Sequence, residues 1–296
     1  MARERSGFRN RLELGAYLLL RGLFGLLPLR AAEALGRAAG RLYRLLDARR
    51  RRLVAENLAR AFPEKGPDEL ARLERAVFAH FGGLAAELLR CEKEPLERLL
   101  GRIEVVGLEH ARAAAASRRG VFFATPHLGN WEWAALVTGA NGFPVTIVAR
   151  PLDNPFLDAR LAAMRERTGC RVVSKRDAAR TLLRTLREGG IVGILADQRA
   201  RPPDAVEVPF FGRPAWTTTA IARLAEKTGA LFLPVVCLRT GPGRYRLVYS
   251  EAIDPAALPP GERGVVPLTA RVTALVESQV RAAPEQWLWL HDRWRR

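Results

Sequence analysis

The sequence predicts an α/β fold, a mixed and largely parallel sheet flanked by helices, with an N-terminal helical membrane anchor. From Arg102 onward, short apolar runs alternate with segments of helical periodicity, which is typical of strand–helix repeats. The 296 residues, 48% of them hydrophobic, suffice for one large α/β domain with an appendage. Because the first 48 residues combine apolar runs with many arginines, we divide the chain into an anchor, residues 1–48, and a main domain, residues 49–296.

The anchor begins with a nearly apolar run from Leu12 to Leu29, interrupted only by Glu13 and Arg21. Its length is marginal for a helix that spans a bilayer. The run is also a poor signal peptide, because no clear small-residue cleavage site follows it. The sequence therefore leaves open whether this helix spans the membrane or lies on it.

The next segment, residues 30–46, has a basic stripe. Arg30, Arg37, Arg41 and Arg44 fall within about 60° of one another on a helical wheel, while the leucines point elsewhere. Such a helix suits the headgroup layer of an anionic leaflet, and the alternative is an amphipathic helix packed on the domain. The arginine run at positions 49–52 and the apolar run before residue 30 favour membrane association.

The net charge of +17 points to an anionic partner, and the first 60 residues hold 14 arginines against 5 acids. An anionic membrane, an acidic protein or a nucleic acid would each satisfy this charge. No stacking aromatic residues are interleaved with the basic stretches, which argues against nucleic acid.

Turn signals and periodicity predict the order of elements. Residues 49–101 read as helical, with a turn at residues 63–67. The predicted strands are Ile103–Val106, Gly120–Thr125, Val145–Ala149, Arg171–Val173, Ile191–Ala196, Leu231–Leu238 and Tyr245–Tyr249. The predicted helices are Trp131–Thr138, Pro155–Thr168, Arg176–Glu188, Thr217–Lys227 and a long final one from about Pro267 to Ala282.

The most informative motif is the segment from His127 to Glu132, which connects a predicted apolar strand to the helix that follows it. Open α/β sheets keep their active sites at such places. If the helix starts near Gly129, Glu132 lies in its first turn, on the same rim as His127. The carboxylate would then orient the imidazole as a general base. The alternative is a loop histidine followed by a first-turn acid that the helix dipole favours.

Two further polar groups follow predicted strands. Asp197 and Gln198 come after the strand that ends at residue 196, and Arg150 comes after the strand that ends at residue 149. Arg165 lies on the helix that follows Arg150. Arginines near a base suit the recognition of phosphate or carboxylate, although any one of them also fits a solvated helix face.

The sequence predicts no cofactor and no metal site. Three cysteines and four histidines are scattered without ligand spacing or a disulfide framework. Neither a Walker loop nor a dinucleotide fingerprint is present.

Six ordered segments between residue 50 and the C-terminus resemble the lipid A biosynthesis lauroyl and myristoyl acyltransferases of the lysophospholipid acyltransferase superfamily. The segments are Arg51–Leu58 with Ala61–Glu64, His127 with Glu132, Arg150–Pro151 with Asn154–Pro155, Ala196–Gln198, Val208–Gly212 with Ala225–Ala230, and Pro284–Trp294. There are two departures: many members have an arginine in place of Asp292, and the apolar run of the anchor is interrupted here.

The resemblance implies a glycerolipid acyltransferase-like fold and transfer of a fatty acyl group from acyl carrier protein or acyl-CoA to a hydroxyl of a membrane glycolipid. His127 would be the general base and Glu132 its partner, with backbone N–H groups near Gly129 stabilising the oxyanion. Arg165 and Asp197, and with them Arg150 and Gln198, would position the acceptor. The resemblance places the protein at the inner membrane, with the active site facing the cytoplasm.

The acceptor remains open, because relatives acylate phosphatidylinositol mannosides and other lipids. A lysophosphatidic acid or glycerol-phosphate acyltransferase is a rival, although those usually carry an aspartate at the position of Glu132. A basic peripheral-membrane or nucleic-acid-binding protein without catalysis is a second rival, in which nothing would depend on His127.

Overall fold

The computed structural model describes residues 6–174, 178–195 and 197–295. Its helices are α1 (Gly7–Leu26), α2 (Leu29–Leu46), α3 (Ala48–Ala61), α4 (Pro67–Cys91), α5 (Leu96–Leu100), α6 (Leu108–Ala116), α7 (Trp131–Ala140), α8 (Pro155–Glu166), α9 (Ala178–Arg187), α10 (Ala220–Thr228) and α11 (Val265–Ala282). Its strands are β1 (Ile103–Val106), β2 (Val121–Thr125), β3 (Val145–Ala149), β4 (Arg171–Ser174), β5 (Ile191–Leu195), β6 (Ala205–Phe210), β7 (Arg213–Thr218), β8 (Leu231–Gly241) and β9 (Arg244–Tyr249).

Seven strands form one sheet in the order β1-β9-β8-β2-β5-β3-β4. Every pair is parallel except β8 with β9, so the predicted mixed and largely parallel sheet is confirmed. The central strands are continuous apolar runs because helices cover both faces of the sheet. All seven predicted strands are present. Residues 176 and 196, at the ends of two predicted elements, lie outside the described residues.

Three features of the fold differ from the prediction. Strands β6 and β7 form a separate antiparallel hairpin, in which Ala205 pairs with Thr218. Thr217 was predicted to begin a helix, yet it belongs to β7, and α10 begins three residues later at Ala220. The β-branched threonines before Ala220 favour the extended backbone that this pairing supplies. Helix α6 was also missed; it is short and rich in alanine.

Two apolar clusters cover the two faces of the sheet. The cluster on the α7 face includes Phe123, Trp133, Ala134, Val145, Leu233 and Leu247. The cluster on the α9, α10 and α11 face includes Phe122, Leu182, Val192, Ile221, Phe232 and Val272. Because alternate residues of a strand point to opposite faces, Phe122 and Phe123 serve different clusters. Thr125 and Leu195, at the carboxyl ends of two central strands, line a cavity.

Helix α2 packs closely against α4. A Cβ at Gly40 would lie 2.1 Å from the Phe78 carbonyl oxygen, and one at Gly82 would lie 2.2 Å from that of Gly36, so the two helix backbones touch. The buried Glu33 carboxylate also binds the guanidinium of Arg239 on β8 at 2.9 Å. Helix α2 is therefore bonded to the sheet as well as to α4.

The basic stripe predicted for α2 is partly used inside the protein. Arg44 makes two 3.0 Å hydrogen bonds to Glu74 on α4, whose side chain is 7% exposed. Arg30 and Arg41 remain exposed. Because α2 packs closely on α4, the Arg44 side chain points toward the Glu74 carboxylate. Arg44 is consequently an intramolecular ion-pair partner.

Helix α1 leaves an apolar stripe exposed. Phe8, Leu12, Leu19, Leu23 and Leu26 are 79%, 65%, 74%, 50% and 87% exposed. Their spacing of three, four and seven residues places them on one face of the helix. Within the described ranges, every helix is too short or too polar to span a bilayer.

Candidate active site

His127 and Asp197 follow neighbouring parallel strands. Thr125, the last residue of β2, pairs in register with Leu195, the last residue of β5. His127 and Asp197 each lie two residues beyond this pair, so both reach the carboxyl edge of the sheet at the same level. Sheet register therefore brings together two residues that are 70 positions apart in the chain.

The two side chains form a dyad. The Nδ1 atom of His127 lies 2.7 Å from Asp197 Oδ1, and the His127 main-chain N–H donates to Asp197 Oδ2 at 2.8 Å. Oδ2 also accepts from Trp287 Nε1 at 2.7 Å. Because an ionised carboxylate can only accept, His127 carries its proton on Nδ1, and Nε2 presents a lone pair. That lone pair is what a general base requires.

The electrostatics of the dyad suit this role. Burial opposes the protonation of His127, but the Asp197 carboxylate, with a contribution from Glu132, outweighs burial and raises the pKa of His127 above its ordinary value. Burial likewise disfavours the Asp197 anion, yet the His127 contacts and the Trp287 hydrogen bond lower the pKa of Asp197. Asp197 thus stays ionised and stabilises the imidazolium that forms when His127 accepts a proton.

The loop after His127 is held by main-chain hydrogen bonds. Gly129 donates to the Gln286 carbonyl at 3.0 Å, and Asn130 donates to the Cys237 carbonyl at 2.8 Å. Gly129 has φ +62°, and a Cβ there would lie 2.1 Å from the Cys237 oxygen, so only glycine fits. The expectation that the Gly129 amide region binds an oxyanion is wrong for Gly129 and Asn130, whose N–H groups are already used.

Glu132 does not contact His127. Its two carboxylate oxygens each lie 2.7 Å from the guanidinium of Arg165 on α8, in a two-pronged ion pair. The expected role of Glu132 in holding the imidazole is therefore corrected: Asp197 holds it. The helix begins at Trp131, so Glu132 lies in the first turn as predicted, and its side chain meets α8. Glu132 still contributes negative charge to the raised pKa of His127.

We expect Glu132→Gln to lower the free energy of unfolding by about 3–5 kcal/mol, because a partly buried Arg165 would lose its counter-charge. The Arg165 and Glu132 side chains are only 14% and 10% exposed. Urea unfolding measures the loss, and the double variant Glu132→Gln/Arg165→Met is the matched control. That double variant should recover part of the stability, and strictly additive losses would contradict the coupling.

The remaining predicted site residues, Gln198 and Arg150, lie at different distances from His127. The Nε2 atom of Gln198 lies 3.4 Å from His127 Nε2, so Gln198 is next to the base. Arg150 lines the same cavity, but its side chain is 68% exposed and binds Asp153 at 3.1 Å. Of the six residues, His127, Asp197 and Gln198 form one group, Glu132 and Arg165 a second, and Arg150 stands at the rim.

A cavity of about 1150 Å³ opens beside His127 at the carboxyl edge of the sheet. One wall is apolar and lies on the α7 face, with Phe123, Ala134, Thr138, Val145, Ile147 and Val235. The other side continues toward α9 and α10, and polar residues, among them Arg199, Arg201 and Arg223, line it as well. A space with an apolar wall and a cationic side suits an amphiphilic ligand.

Three residues around the dyad were not predicted. Trp287 donates to Asp197, the Trp131 ring meets the imidazole edge-on with centroids 5.1 Å apart, and His291 Nε2 accepts from the Arg199 main-chain N–H at 2.9 Å. Burial lowers the pKa of His291, which keeps it neutral for that bond. Trp287 and His291 lie in the last segment of the resemblance, the one signal that pointed to them.

Comparison with known proteins identifies the family of the chain. The family model described as bacterial lipid A biosynthesis acyltransferase matches residues 10–296. The chain is 30% identical to the lipid A biosynthesis lauroyltransferase of Escherichia coli K12, over 91% of this chain and 87% of that one.

Two other relatives carry different names. The phosphatidylinositol mannoside acyltransferase of Mycolicibacterium smegmatis is 29% identical, over 81% of this chain and 78% of that one. The lipid A biosynthesis myristoyltransferase of Escherichia coli K12 is 27% identical, over 86% and 77%. The family match spans nearly the whole chain and includes every residue of the dyad and the cavity described above. The chain belongs to the bacterial lipid A biosynthesis acyltransferase family and is an acyltransferase that acts on lipid acceptors.

Proposed function

We propose that this protein moves a fatty acyl chain from an acyl thioester to a hydroxyl group of a membrane glycolipid such as a lipid A precursor. The observation that carries the proposal is the His127–Asp197 dyad, whose unprotonated Nε2 stands next to a large cavity. His127 takes the proton from the acceptor hydroxyl as its oxygen attacks the thioester carbonyl. The thioester is already activated, so the chemistry needs no covalent acyl-enzyme intermediate.

The two sides of the cavity match the two ends of such a reaction. The apolar wall on the α7 face can receive the hydrocarbon chain, whose burial supplies binding energy in proportion to the apolar area removed from water. The arginines on the other side suit phosphate groups, which occur both in glycolipid headgroups and in the phosphopantetheine arm of acyl donors. The Glu132–Arg165 ion pair also lines the cavity and supports its wall near His127.

Two acyl donors fit the proposal, acyl carrier protein and acyl-CoA, and both are anionic. The net charge of +17 favours their approach, and three arginines of the 49–52 run on α3 are exposed. Charge of this kind raises the association rate more than the affinity. Higher salt should therefore raise the KM for donor more than it lowers kcat.

The proposed location is the inner membrane, with the active site facing the cytoplasm. The exposed apolar stripe of α1 supports an interfacial position, in which the helix lies along the bilayer surface with its leucines among the acyl chains. Exposed leucines of α2, such as Leu42 and Leu46, add to this surface. Asn154, the N-cap of α8, donates a hydrogen bond to the Asn10 carbonyl of α1, and α8 also carries Arg165 of the cavity lining. A membrane-bound α1 would therefore keep the cavity near the surface where a lipid acceptor resides.

The double change Leu19→Glu/Leu23→Glu is expected to weaken vesicle binding by about 100-fold or more, since each leucine buried in lipid contributes roughly 1.5–3 kcal/mol. Sedimentation with phosphatidylglycerol-containing vesicles measures it. Val266→Glu is the matched control, because Val266 on α11 is 50% exposed, as is Leu23. Membrane binding through α1 is contradicted if the double variant sediments like the control in high salt.

The acceptor is tested by mass spectrometry of membrane lipids from cells with and without the protein. Loss of one acyl chain from lipid A would support the proposed acceptor. Loss from a phosphatidylinositol mannoside would favour the second candidate, which the 29% identical relative of that name supports. Loss of an acyl chain from a glycerophospholipid instead would favour a lysophospholipid acceptor. An unchanged lipid profile would contradict acyl transfer by this protein and favour a non-catalytic membrane role.

A further inference from the structure

The reaction proposed above develops negative charge on the thioester carbonyl oxygen, and the site needs a hydrogen-bond donor for it. The His127–Asp197 dyad takes the proton from the attacking hydroxyl. It provides no hydrogen bond to the carbonyl oxygen. A donor for the carbonyl oxygen must lie within a few ångströms of His127 Nε2, because the attacked carbon does. Such donors are often the largest contribution to acyl-transfer catalysis.

The main-chain donors of the loop are largely used. In the described part of the chain, the N–H groups of His127, Gly129 and Asn130 donate to Asp197, Gln286 and Cys237. The N–H of Trp133 is capped by the Asn130 side chain at 3.1 Å. The first turn of α7 leaves the N–H groups of Trp131 and Glu132 unpaired among the described residues, as a helix start does.

Two of the arginines that line the cavity are also engaged. Arg165 directs Nε and one terminal nitrogen at Glu132, each at 2.7 Å. Arg199 donates from one terminal nitrogen to the carbonyl of Arg295 at 3.0 Å. Moving either guanidinium to the carbonyl oxygen would break a bond that the resting site already has. Among the nearby side chains, the carboxamide of Gln198 lies within reach of His127 Nε2 and has no charged partner among the described residues.

Gln198 sits on a rigid support although its own side chain is exposed. On one side of it, Asp197 is buried and receives three hydrogen bonds from His127 and Trp287. On the other, the Arg199 main-chain N–H donates to His291 Nε2 at 2.9 Å, and Arg199 bridges to Thr217 of β7. Fixing both neighbours holds the Gln198 backbone in place and so preorganises its side chain.

The proton position on His127 orients the carboxamide. Nε2 carries a lone pair because Nδ1–H donates to Asp197, so the group of Gln198 that faces Nε2 at 3.4 Å is the N–H₂ end. When an acceptor hydroxyl takes the place beside Nε2, this amide is free to turn its N–H toward the neighbouring carbonyl oxygen. We propose that Gln198 is a catalytic residue that donates this hydrogen bond to the oxyanion, and this proposal rests on the function proposed above.

The proposed reaction passes through a tetrahedral intermediate. The acceptor oxygen forms a bond to the thioester carbon, its proton passes to His127 Nε2, and the carbonyl π electrons move to the oxygen that Gln198 binds. The carbonyl then re-forms, the C–S bond breaks, and the sulfur leaves with the proton from His127 as a thiol. The hydrogen bond of Gln198 is strongest at the oxyanion stage, which is the condition for lowering the barrier rather than KM.

We expect Gln198→Ala to lower kcat by about 10²–10³-fold with little change in KM, as is typical for loss of one oxyanion donor. Gln198→Glu keeps the size but loses the donor and adds a negative charge, so it should be at least as slow. Gln279→Ala on α11, outside the cavity lining, is the matched control and should keep wild-type turnover. The assay transfers a labelled acyl group from a phosphopantetheine thioester to membrane lipids.

Binding of two donor analogues separates oxyanion binding from positioning. Both are built on phosphopantetheine: one has an anionic tetrahedral phosphonate in place of the thioester carbonyl, as a mimic of the oxyanion, and the other is a plain thioether that has no carbonyl. Gln198→Ala should weaken the binding of the phosphonate by about the factor lost in kcat/KM and leave that of the thioether unchanged. The proposal is overturned if both analogues weaken equally, or if Gln198→Ala turns over like Gln279→Ala.

These outcomes differ from failure of the proposed function. If the wild-type protein transfers no acyl group to any membrane lipid, the function fails, whatever the analogues do. If the wild type is active, His127→Ala is inactive and Gln198→Ala is unchanged, the function stands and the role of Gln198 is wrong. The analogue comparison needs no turnover, so it tests Gln198 in either case.

Discussion

Asp197→Asn is expected to lower kcat by about 10³–10⁴-fold while the protein stays folded, because it reverses the tautomer of the base. Asp197 Oδ2 accepts two N–H groups, from the His127 main chain and from Trp287. An asparagine must keep its oxygen there to satisfy both donors. Its N–H₂ then faces His127 Nδ1, which can only accept, so the proton moves to Nε2 and the base loses its lone pair.

The pH profile gives an independent readout of the same change. The wild-type rate should rise with pH through the raised pKa of His127, because the base works only when it is neutral. Removing the carboxylate destabilises the imidazolium, so the pKa of His127 falls and the acid limb moves to lower pH. Steady-state rates across the acidic range measure the shift. An acid limb that stays where it was would show that Asp197 does not control the base.

His127→Ala is expected to lower the rate by about 10²–10⁴-fold, the usual contribution of a general base. The change also takes the imidazole partner from a buried carboxylate, since the Asp197 side chain is only 1% exposed. Some loss of thermal stability should therefore accompany the loss of activity, and a melt of the alanine variant measures it.

His127→Asn is the matched control. An asparagine amide can occupy the position of Nδ1 and donate to Asp197 Oδ1, so the carboxylate keeps a partner while the base is lost. This variant should melt closer to the wild type than the alanine variant does, yet be as slow. Activity within about tenfold of the wild type in either variant would contradict general-base catalysis by His127.

One prediction that failed concerns the partner of His127. Glu132 is only five residues from His127 in sequence and lies in the first turn of the helix that follows it. This local spacing favoured Glu132 as the partner that orients the imidazole. The partner is Asp197, because β2 and β5 are adjacent and parallel and Thr125 pairs with Leu195. The strand ends were predicted, but nothing local specifies which strands become neighbours. The order of strands within the sheet depends on how the connecting helices pack across it, and that packing consists of contacts between residues far apart in the chain.

The N-terminal region shows the same division. The apolar run and the arginine stripe were visible in the sequence, and α1 and α2 formed where expected. The sequence did not predict which face of α2 packs against the rest of the protein, because that face is set by the glycine contact with α4 and by the Glu33–Arg239 ion pair. Deleting residues 1–48 would remove these contacts together with α1, so surface changes on α1 are the cleaner test of membrane binding.

By itself, the sequence determined the succession of strands and helices along the chain, the place of His127 at a strand end, and the polar residues that follow other predicted strands. Hydrophobic periodicity and turn residues are local properties, so they can be read from the chain. Only the tertiary structure decided that Asp197 holds His127, that Glu132 binds Arg165, and that Trp287 and His291 support the site. Those pairings join residues 33 to 92 positions apart, and they exist only when sheet register and helix packing bring the segments together.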